Sequence, residues 1–304
     1  MKKLFAMLLA ASMMMSLVAC GGGSEPAPAE PAPAPEQSQP ADPAPAPAEP
    51  QEPALETVTE GKLTVATSPD FAPYEFYAIA EDGTPTLAGF DVALAHYIAD
   101  YIGLELEIIP MDFDGVLMEV ATGKVDLGMA GLSPDPARMD AMDFSDIYYE
   151  GGQSFVTVTA NKDMFKSLDD TNKAELSIGA QTASIQMDLA NEFSPNADII
   201  ALVKVTDIIA ELLTGKLDGA YIETAVAESY KTNYPELEIV LDVPYDTEGS
   251  AIGVVKNNET LLAAVNEAIN AAITDGSMDN FVAEAGELAS GTTGILVDGE
   301  IVIG

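Results

Sequence analysis

Residues 111–138 read MDFDGVLMEVATGKVDLGMAGLSPDPAR, and this stretch decides the fold. Residues 116–121 have the spacing of a short helix, whereas residues 125–130 form an apolar run typical of a buried strand. The stretch ends on Arg138, the only arginine in the 304-residue chain. A guanidinium can hold a carboxylate with two parallel charge-assisted hydrogen bonds, so Arg138 is either an anion-binding fork or one member of a surface ion pair.

Strand-like and helix-like segments alternate on both sides of this stretch, which predicts an α/β fold with mostly parallel strands. The predicted strands are 63–67, 104–109, 125–130, 176–180, 199–203 and 219–222, and the predicted helices are 90–102, 116–121, 184–193, 206–213 and 224–230. These segments form two similar modules. The strand-like runs 153–159 and 251–255 could both cross between the modules, and helices at 261–274 and 278–285 would then pack back on the first.

The expected organisation is therefore two α/β lobes joined by two hinge strands. The first lobe is discontinuous and comprises residues 59–152 plus 250–304, and the second comprises residues 153–249. The tail 286–304 is rich in glycine and strand-like residues. It could form a terminal hairpin around Asp298-Gly299 or remain loosely attached, and it suggests no function.

The N-terminus has the pattern of a bacterial lipoprotein. Two lysines precede an apolar run over residues 4–19, which is short for the ~20 residues that a membrane-spanning helix needs. Cys20 is the sole cysteine of the chain and follows Leu17-Val18-Ala19, which resembles a lipobox. We expect a signal peptide over residues 1–19 and lipidation of Cys20, which leaves no thiol for a disulfide, a zinc site or a nucleophile.

A tether is expected between Cys20 and the folded part. Residues 21–58 contain 11 of the 20 prolines, mixed with Ala and Glu and without apolar periodicity. At ~3.1 Å per residue, such a chain could hold the folded part up to roughly 100 Å from the membrane surface.

The composition restricts the partners. Fifty acidic and 12 basic residues give a formal net charge of −38. Nucleic acid and anionic membrane surfaces would repel such a chain, so neither is expected as a direct partner. No cofactor or metal site is predicted.

Three motifs resemble family 3 of the bacterial extracellular solute-binding proteins, which serve amino-acid ABC transporters. They are Gly89-Phe90-Asp91-Val92, the stretch 113–149 with Gly123-Lys124-Val125-Asp126 and Asp143-Phe144-Ser145-Asp146, and Gly215-Lys216-Leu217-Asp218-Gly219-Ala220 followed by Glu223. Residues 111–151 are most similar to the glutamine-binding members. The resemblance implies the type II periplasmic-binding fold, with the ligand in the cleft between the lobes.

The resemblance implies a carboxylate site in the first lobe. Ser133-Pro134 has the pattern of an N-cap followed by proline at the first helical position, and such a helix start binds anions. In the family, the residues matching Ser133 and Arg138 hold the α-carboxylate of the ligand, and the carbonyl matching Gly131 contributes to the ammonium site. Ser133 could also be a cap and nothing more.

The second lobe would add its own contacts, because closure requires ligand contacts that favour the closed form. Gln181-Thr182-Ala183-Ser184-Ile185 matches a strand-to-helix turn of the family, although Ala183 replaces the usual glycine. Ser184 would donate to the carboxylate. Glu223 matches an aspartate that pairs with the ammonium in the family; alternatively it stabilises the start of the helix at Thr224.

The side-chain subsite implied by the resemblance is aromatic. Phe71 and Phe113 match residues that sandwich the ligand side chain, and Tyr74 is close in sequence. Ser68 stands where several relatives carry an aspartate, which argues against glutamine or a basic amino acid. Asp70 could replace that aspartate if it points into the cleft.

The function implied is extracytoplasmic capture of a polar L-amino acid by a monomeric lipid-anchored protein that delivers it to an ABC permease. A sensor that reports the amino acid to a membrane receptor and a dehydratase-like enzyme on the same fold remain alternatives. The single histidine, His96, lies in a predicted helix without a Gly-x-Ser-x-Gly elbow, so no catalytic residue is predicted. Asp112-Phe113-Asp114-Gly115 lacks the remaining ligands of a calcium loop and is interpreted as a helix start.

Overall fold

The computed structural model describes residues 55–80, 82–246, 249–291, 293–297 and 300–303. The predicted signal peptide, Cys20 and nearly all of the tether lie outside the described residues. Among the helices that are described, none is both long enough and apolar enough to cross a membrane.

The described chain alternates strands and helices. The strands are β1 (Lys62–Thr67), β2 (Asp70–Phe71), β3 (Glu75–Ile79), β4 (Pro85–Ala88), β5 (Glu105–Pro110), β6 (Leu127–Gly128), β7 (Met142–Phe144), β8 (Gln153–Val158), β9 (Ser177–Gln181), β10 (Asp198–Leu202), β11 (Gly219–Glu223), β12 (Leu237–Val243), β13 (Gly253–Val255), β14 (Thr293–Val297) and β15 (Glu300–Ile303). The helices are α1 (Phe90–Ile102), α2 (Phe113–Ala121), α3 (Ile185–Phe193), α4 (Val205–Leu213), α5 (Thr224–Asn233), α6 (Glu259–Thr274) and α7 (Ser277–Ala289), with short 3-10 helices at Lys162–Met164 and Leu168–Thr171.

Two five-stranded sheets form the centres of two lobes. The first has the order β5-β1-β6-β13-β7, and the second has the order β10-β9-β11-β8-β12. The pairs β5-β1-β6 and β10-β9-β11 are parallel, whereas β13, β7, β8 and β12 pair antiparallel with their neighbours. The α/β prediction is therefore confirmed, whereas the expectation of mostly parallel strands was wrong, because half of the strand pairs in these two sheets are antiparallel. All strands of the first sheet lie within the residues expected for the first lobe, and all strands of the second sheet lie within those expected for the second. The lobe boundaries themselves stay a prediction.

The two crossing segments lie just before the runs that the sequence indicated. The run at 153–159 belongs to the second sheet as β8, and the run at 251–255 returns to the first sheet as β13. The crossings meet at an antiparallel bridge, where the amide of Ser250 donates to the carbonyl of Tyr149 at 2.8 Å. Both runs look like strands because they are buried inside the sheets, and this burial pattern carries no information about where the chain passes between lobes.

Helix α1 follows from its sequence at both ends and on one face. Phe90, Leu94 and Ile98 recur at four-residue intervals and are all buried. The helix ends at Gly103, whose left-handed φ of 74° suits a glycine C-cap. The buried face packs against α6 and α7, so the C-terminal helices return to the first lobe as expected.

One aspartate motif is used the same way in both lobes. Asp126 ends the first Gly-Lys-x-Asp motif, is fully buried, and accepts hydrogen bonds from the amide and hydroxyl of Thr64 at 2.8 and 2.6 Å. Asp218 ends the second motif and accepts from the amide of Ser177 at 2.9 Å. Each carboxylate thus fixes an inner strand of its sheet, β1 or β9, so the repeated motif has the same structural role in both lobes.

The C-terminal tail forms the hairpin that the sequence offered as one alternative. β14 pairs antiparallel with β15, and Thr293 and Gly294 pair with Ala78 and Tyr77 of β3. A third sheet of order β15-β14-β3-β2 results, with β4 also paired to β3. The residues Asp298 and Gly299 themselves lie outside the described set.

Gly89 should be required at the start of α1. Its φ is 122°, and an added Cβ would overlap the carbonyl group of Tyr74. We expect Gly89→Ala to lower the free energy of unfolding by more than about 2 kcal/mol, measured by urea denaturation. Gly286→Ala in α7, where a Cβ meets no neighbouring atom, should be neutral or stabilising by up to about 1 kcal/mol. Equal effects of the two substitutions would contradict this explanation.

Candidate functional site

Arg138 lies on a series of turns, and the helix expected to start at Ser133-Pro134 is absent. The amide of Arg138 donates to the carbonyl of Asp135 at 2.9 Å, and the Asp135 carboxylate accepts from the amide of Ala137 at 2.7 Å. Prolines at 134 and 136 withhold two amide donors, and Asp135 competes for the next one, so the segment closes as turns. The prediction of a helix start at Ser133 was therefore wrong.

The guanidinium of Arg138 reaches from the first lobe to the second. Nη1 donates to the carbonyl of Ser133 at 3.3 Å, and Nη2 donates to the carbonyl of Ala183 at 3.1 Å. The guanidinium carbon lies 5.7 Å from the centre of the Phe113 ring. Arg138 makes no ion pair with a carboxylate in the part of the chain that the structure describes.

Burial and nearby carboxylates have opposite effects on the charge of Arg138. Partial burial lowers the pKa of Arg138, and the nearby charges of Asp135 and Asp188 oppose that shift. A guanidinium has five N–H donors, and two of them are bonded to carbonyl oxygens here. The remaining donors and the positive charge suit an anionic partner.

A second cluster contains Tyr74 and Glu223 and also joins the lobes. The hydroxyl of Tyr74 donates to Oε1 of Glu223 at 3.2 Å and accepts from the hydroxyl of Ser250 at 3.3 Å. Oε2 of Glu223 accepts from the amide of Val226 at 2.8 Å and so caps α5. Glu223 therefore has the helix-start role that the sequence offered as one alternative. The ammonium role remains open, because a carboxylate can accept several hydrogen bonds.

Burial controls the ionisation of this cluster. It raises the pKa of Glu223 to about 7, although the amide of Val226 and the hydroxyl of Tyr74 favour the charged form. Burial and the charge of Glu223 raise the pKa of Tyr74 well above its ordinary value, so Tyr74 keeps its proton and acts as a donor. A bound ammonium would favour the ionised form of Glu223.

Gly131 and Phe71 pack beside Tyr74 of the second cluster. Gly131 has a φ of 56°, and a Cβ at this position would meet the Phe71 ring at 2.7 Å. The Phe71 ring packs in turn on the Tyr74 ring, with 5.2 Å between the ring centres. Both the backbone conformation and the close ring therefore require glycine at position 131.

A buried carboxylate positions Gly131. Asp91, at the start of α1, accepts from the amide of Gly131 at 3.1 Å and from the hydroxyl of Tyr148 at 2.7 Å. Burial raises the pKa of Asp91 to about 6. Glu75 is also completely buried, and burial, together with the charges of Asp91 and Asp70, raises its pKa well above the ordinary value. Burial and these neighbouring charges therefore favour the protonated form of Glu75.

Ser68 and Asp70 form a pair whose direction the sequence could not give. The hydroxyl of Ser68 donates to Oδ1 of Asp70 at 2.9 Å, and Oδ2 of Asp70 accepts from the amide of Val205 in the second lobe at 2.6 Å. Burial raises the pKa of Asp70 to about 6, although its hydrogen bonds favour the charged form. Asp70 thus points across the cleft towards the start of α4.

The second-lobe residues lie at the end of β9 and the start of α3. Ser184 caps α3, accepting from the amide of Met187 at 3.3 Å, and its hydroxyl donates to the carbonyl of Gln181 at 2.7 Å. The side-chain amide of Gln181 donates through Nε2 to the carbonyl of Val203 at 3.1 Å. Ile185 lines a groove between the lobes together with Asp135. The hydroxyl of Ser184 is therefore bonded inside its own turn, and the neighbouring Ala183 carbonyl contacts Arg138.

The structure brings the predicted residues together in two linked groups. Around Arg138 lie Phe113, Ser133 and the 181–185 turn, and around Tyr74 lie Phe71, Gly131 and Glu223; Ser68 is linked to both lobes through Asp70. The roles of all these residues in ligand binding remain predictions. His96 is exposed on α1.

Sequence reasoning missed four contributors. Asp91 and Gln186 are buried at the site, where Gln186 lines a cavity with Phe71 and Glu223, and Val205 and Tyr230 contact Asp70. Asp91 lies inside the Gly89-Phe90-Asp91-Val92 motif, which was the available signal. Val205 acts through its backbone amide, for which a sequence carries no residue-specific signal.

Comparisons with known proteins identify the family of this chain. The family model described as "Bacterial extracellular solute-binding proteins, family 3" matches residues 63–285. The arginine-binding extracellular protein ArtP of Bacillus subtilis (strain 168) is 31% identical over 223 residues, which cover 72% of this chain and 83% of ArtP. The cyclohexadienyl dehydratase of Pseudomonas aeruginosa is 26% identical over 188 residues, which cover 62% of this chain and 69% of that enzyme.

A solved structure is similar over most of the described chain. It is the amino acid ABC transporter substrate-binding protein AbpA from Streptococcus pneumoniae, bound to L-arginine. The TM-score is 0.72 with 32% sequence identity, over 76% of this chain and 96% of AbpA.

Replacing Ala183 by glycine should stabilise the turn that contacts Arg138. Ala183 has a φ of 62°, which is unfavourable for a residue with a Cβ. We expect Ala183→Gly to raise the free energy of unfolding by up to about 1 kcal/mol, measured by urea denaturation of the ligand-free chain. Ala190→Gly, inside α3, is the control and should destabilise by about 1 kcal/mol. A loss of stability in Ala183→Gly equal to that of the control would contradict the strain at residue 183.

Proposed function

This chain belongs to family 3 of the bacterial extracellular solute-binding proteins and is an amino-acid-binding component of an ABC transporter. We propose that it holds a polar or cationic L-amino acid between Arg138 and Glu223. Its fold is accordingly the type II periplasmic-binding fold. The observation that carries the proposal is the Arg138 guanidinium, which lies at the cleft with carbonyl acceptors only among the described residues.

The two ends of a zwitterion match the two clusters. Arg138 would hold the α-carboxylate, with Ser133 and Ser184 beside it, and Glu223 would hold the α-ammonium near the Gly131 carbonyl. Phe71 and Phe113 would contact the side chain, with Tyr74, Ser68, Gln181 and Ile185 completing the walls. Both ends of the ligand would then contact both lobes, which couples binding to closure.

The charges at the cleft indicate the ligand class. Carboxylates outnumber cations there: Asp135 and Asp188 lie near Arg138, Asp70 and Asp112 lie near Lys204, and Glu223 is a further carboxylate of the cleft. A second carboxylate on the ligand would be repelled, so glutamate and aspartate are disfavoured. Ser68 replaces an aspartate of several relatives and so argues against a cationic side chain, but the remaining carboxylates are compatible with a neutral polar or cationic one, and both ArtP and AbpA are described with arginine. L-arginine is therefore the first compound to test, ahead of L-glutamine.

The proposal includes the setting in which the protein works. The chain is anchored as a monomer on the extracytoplasmic face of the membrane through a lipid on Cys20, after removal of residues 1–19. The lipobox-like sequence supports this anchoring. The dehydratase relative keeps an enzyme as the second candidate, whereas the proposed protein binds without catalysis.

Arg138→Ala should weaken L-arginine binding by about 3 kcal/mol, roughly a hundredfold, because the ligand carboxylate would lose its buried partner. Calorimetric titration of the full-length protein measures the affinity. Lys216→Ala, which removes an exposed cation of the second lobe, is the control and should bind normally. Near-normal binding by Arg138→Ala would contradict the carboxylate role.

Acidification should weaken L-arginine binding through Glu223. Its pKa is about 7 without a ligand, and an ammonium partner would lower that pKa. Below about pH 7, binding must then release the proton of Glu223. The affinity is therefore highest above that pH and decreases as the pH falls through it. Titrations between about pH 8 and pH 6.5 measure this dependence, a range that stays above the pKa of about 6 of Asp70.

Glu223→Gln should bind more weakly and lose the pH dependence, because its amide does not titrate. Asp112→Asn, which changes a partly exposed carboxylate at the rim of the cleft, is the matched control and should retain the dependence. Tighter binding of L-arginine to the unmodified protein at the lower pH would refute the ammonium role of Glu223.

A further inference from the structure

Asp70 is hydrogen-bonded directly to the second lobe, without any group of the proposed ligand taking part. Its carboxylate accepts from the amide of Val205 at 2.6 Å, and its main-chain carbonyl accepts from the hydroxyl of Tyr230 at 3.0 Å. Val205 begins α4 and Tyr230 lies in α5. One residue of the first lobe is therefore bonded to two separate helices of the second.

The contact with Val205 satisfies a group that the helix itself cannot satisfy. Amides in the first turn of a helix have no acceptor within the helix, and the positive end of the helix dipole favours a carboxylate. Lys204, which precedes α4, shows no side-chain cap, so the cap comes from Asp70 across the cleft. If the lobes separate, the amide of Val205 must find water instead.

The surroundings of Asp70 hold it in this position. Asp70 and Val205 are both buried, and the hydroxyl of Ser68 donates to the second carboxylate oxygen of Asp70. The ionisable groups near Asp70 include Glu75 and Asp112 of the first lobe and Lys204 of the second, and Lys204 and Asp112 form an ion pair of 3.6 Å. The bonds of Asp70 to Val205 and Tyr230 and this ion pair all cross the cleft.

We infer that Asp70 is a positioning residue that latches the closed form through Val205 and Tyr230, independently of the ligand, and thereby slows ligand release. The effect on release rests on the proposed function, whereas the latch itself does not. Its partners are a backbone amide and a tyrosine hydroxyl of the protein, so it stabilises closure whichever amino acid is bound. The latch and the Arg138 site then contribute to the closed form separately.

Three substitutions separate the contacts. Asp70→Ala removes the acceptor for Val205, and Asp70→Asn keeps an acceptor oxygen of the same size. Tyr230→Phe removes only the hydroxyl that bonds the Asp70 carbonyl. Tyr234→Phe is the matched control, because Tyr234 stacks on Tyr230 in α5, with 6.4 Å between ring centres, and its hydroxyl makes no hydrogen bond within the described residues.

The first measurement is the dissociation rate of radiolabelled L-arginine from the full-length protein. An unpaired buried amide should make release from Asp70→Ala about tenfold faster or more, with little change in the association rate. Asp70→Asn should restore slow release to within about threefold, and Tyr230→Phe should lie between Asp70→Ala and the unmodified protein. The Tyr234→Phe protein should match the unmodified one.

The second measurement needs no ligand. Hydrogen exchange at the Val205 amide, resolved by mass spectrometry with fragmentation, should be faster in Asp70→Ala than in the unmodified protein and unchanged in Tyr234→Phe. If the unmodified protein fails to bind L-arginine, the proposed ligand is wrong, and this exchange rate still decides whether the latch exists. Unchanged Val205 exchange in Asp70→Ala, or equally fast release from Asp70→Ala and Asp70→Asn, would overturn the latch.

Discussion

The hydrogen bonds of the Arg138 guanidinium are the constraint on which the rest of the site depends. The chain carries 50 acidic residues, yet in its described part this arginine bonds to the carbonyl oxygens of Ser133 and Ala183. A guanidinium that is partly removed from water retains a preference for an anionic acceptor, because burial penalises its charge unless it is paired. The carbonyls come from different lobes, so an anion held here would contact both halves at once. Binding of such an anion would therefore favour the closed form.

A chain of contacts joins the other groups of the site to one another. Asp91 holds the amide of Gly131, the φ of Gly131 lets Phe71 pack against it, and the Tyr74 ring carries the contact on to Glu223. Most of these links run through backbone groups and buried rings of the first lobe. Glu223 closes the series from the second lobe and is fixed by its bond to the start of α5. A neutral Tyr74 and a Glu223 that titrates near neutral pH make this end of the cleft responsive to a cation.

The sequence predicted the secondary-structure elements better than it predicted where individual side chains point. The span of α1, the start of α3 at Ser184 and the alternation of both lobes follow from apolar periodicity and capping residues, which are local properties. The helix start at Ser133 failed because prolines and Asp135 satisfy the backbone through turns instead. Asp70 was recognised as a candidate, but its direction depends on the amide of Val205, which is 135 residues away in the chain. Glu223 caps α5 and also lies at the cleft, so the helix-cap and ammonium-binding interpretations of this residue are compatible.

The central claim is that the cleft binds a zwitterion. Its most direct test is a thermal-unfolding screen of the full-length chain against the twenty L-amino acids. Each amino acid is compared with the amine that lacks its α-carboxylate. At a concentration a hundredfold above the dissociation constant, a bound ligand should add about 2.7 kcal/mol to the stability. Stabilisation by a polar or cationic amino acid, absent with the corresponding amine, is the predicted result. Equal stabilisation by the amine, or stabilisation by none of the amino acids, would contradict it.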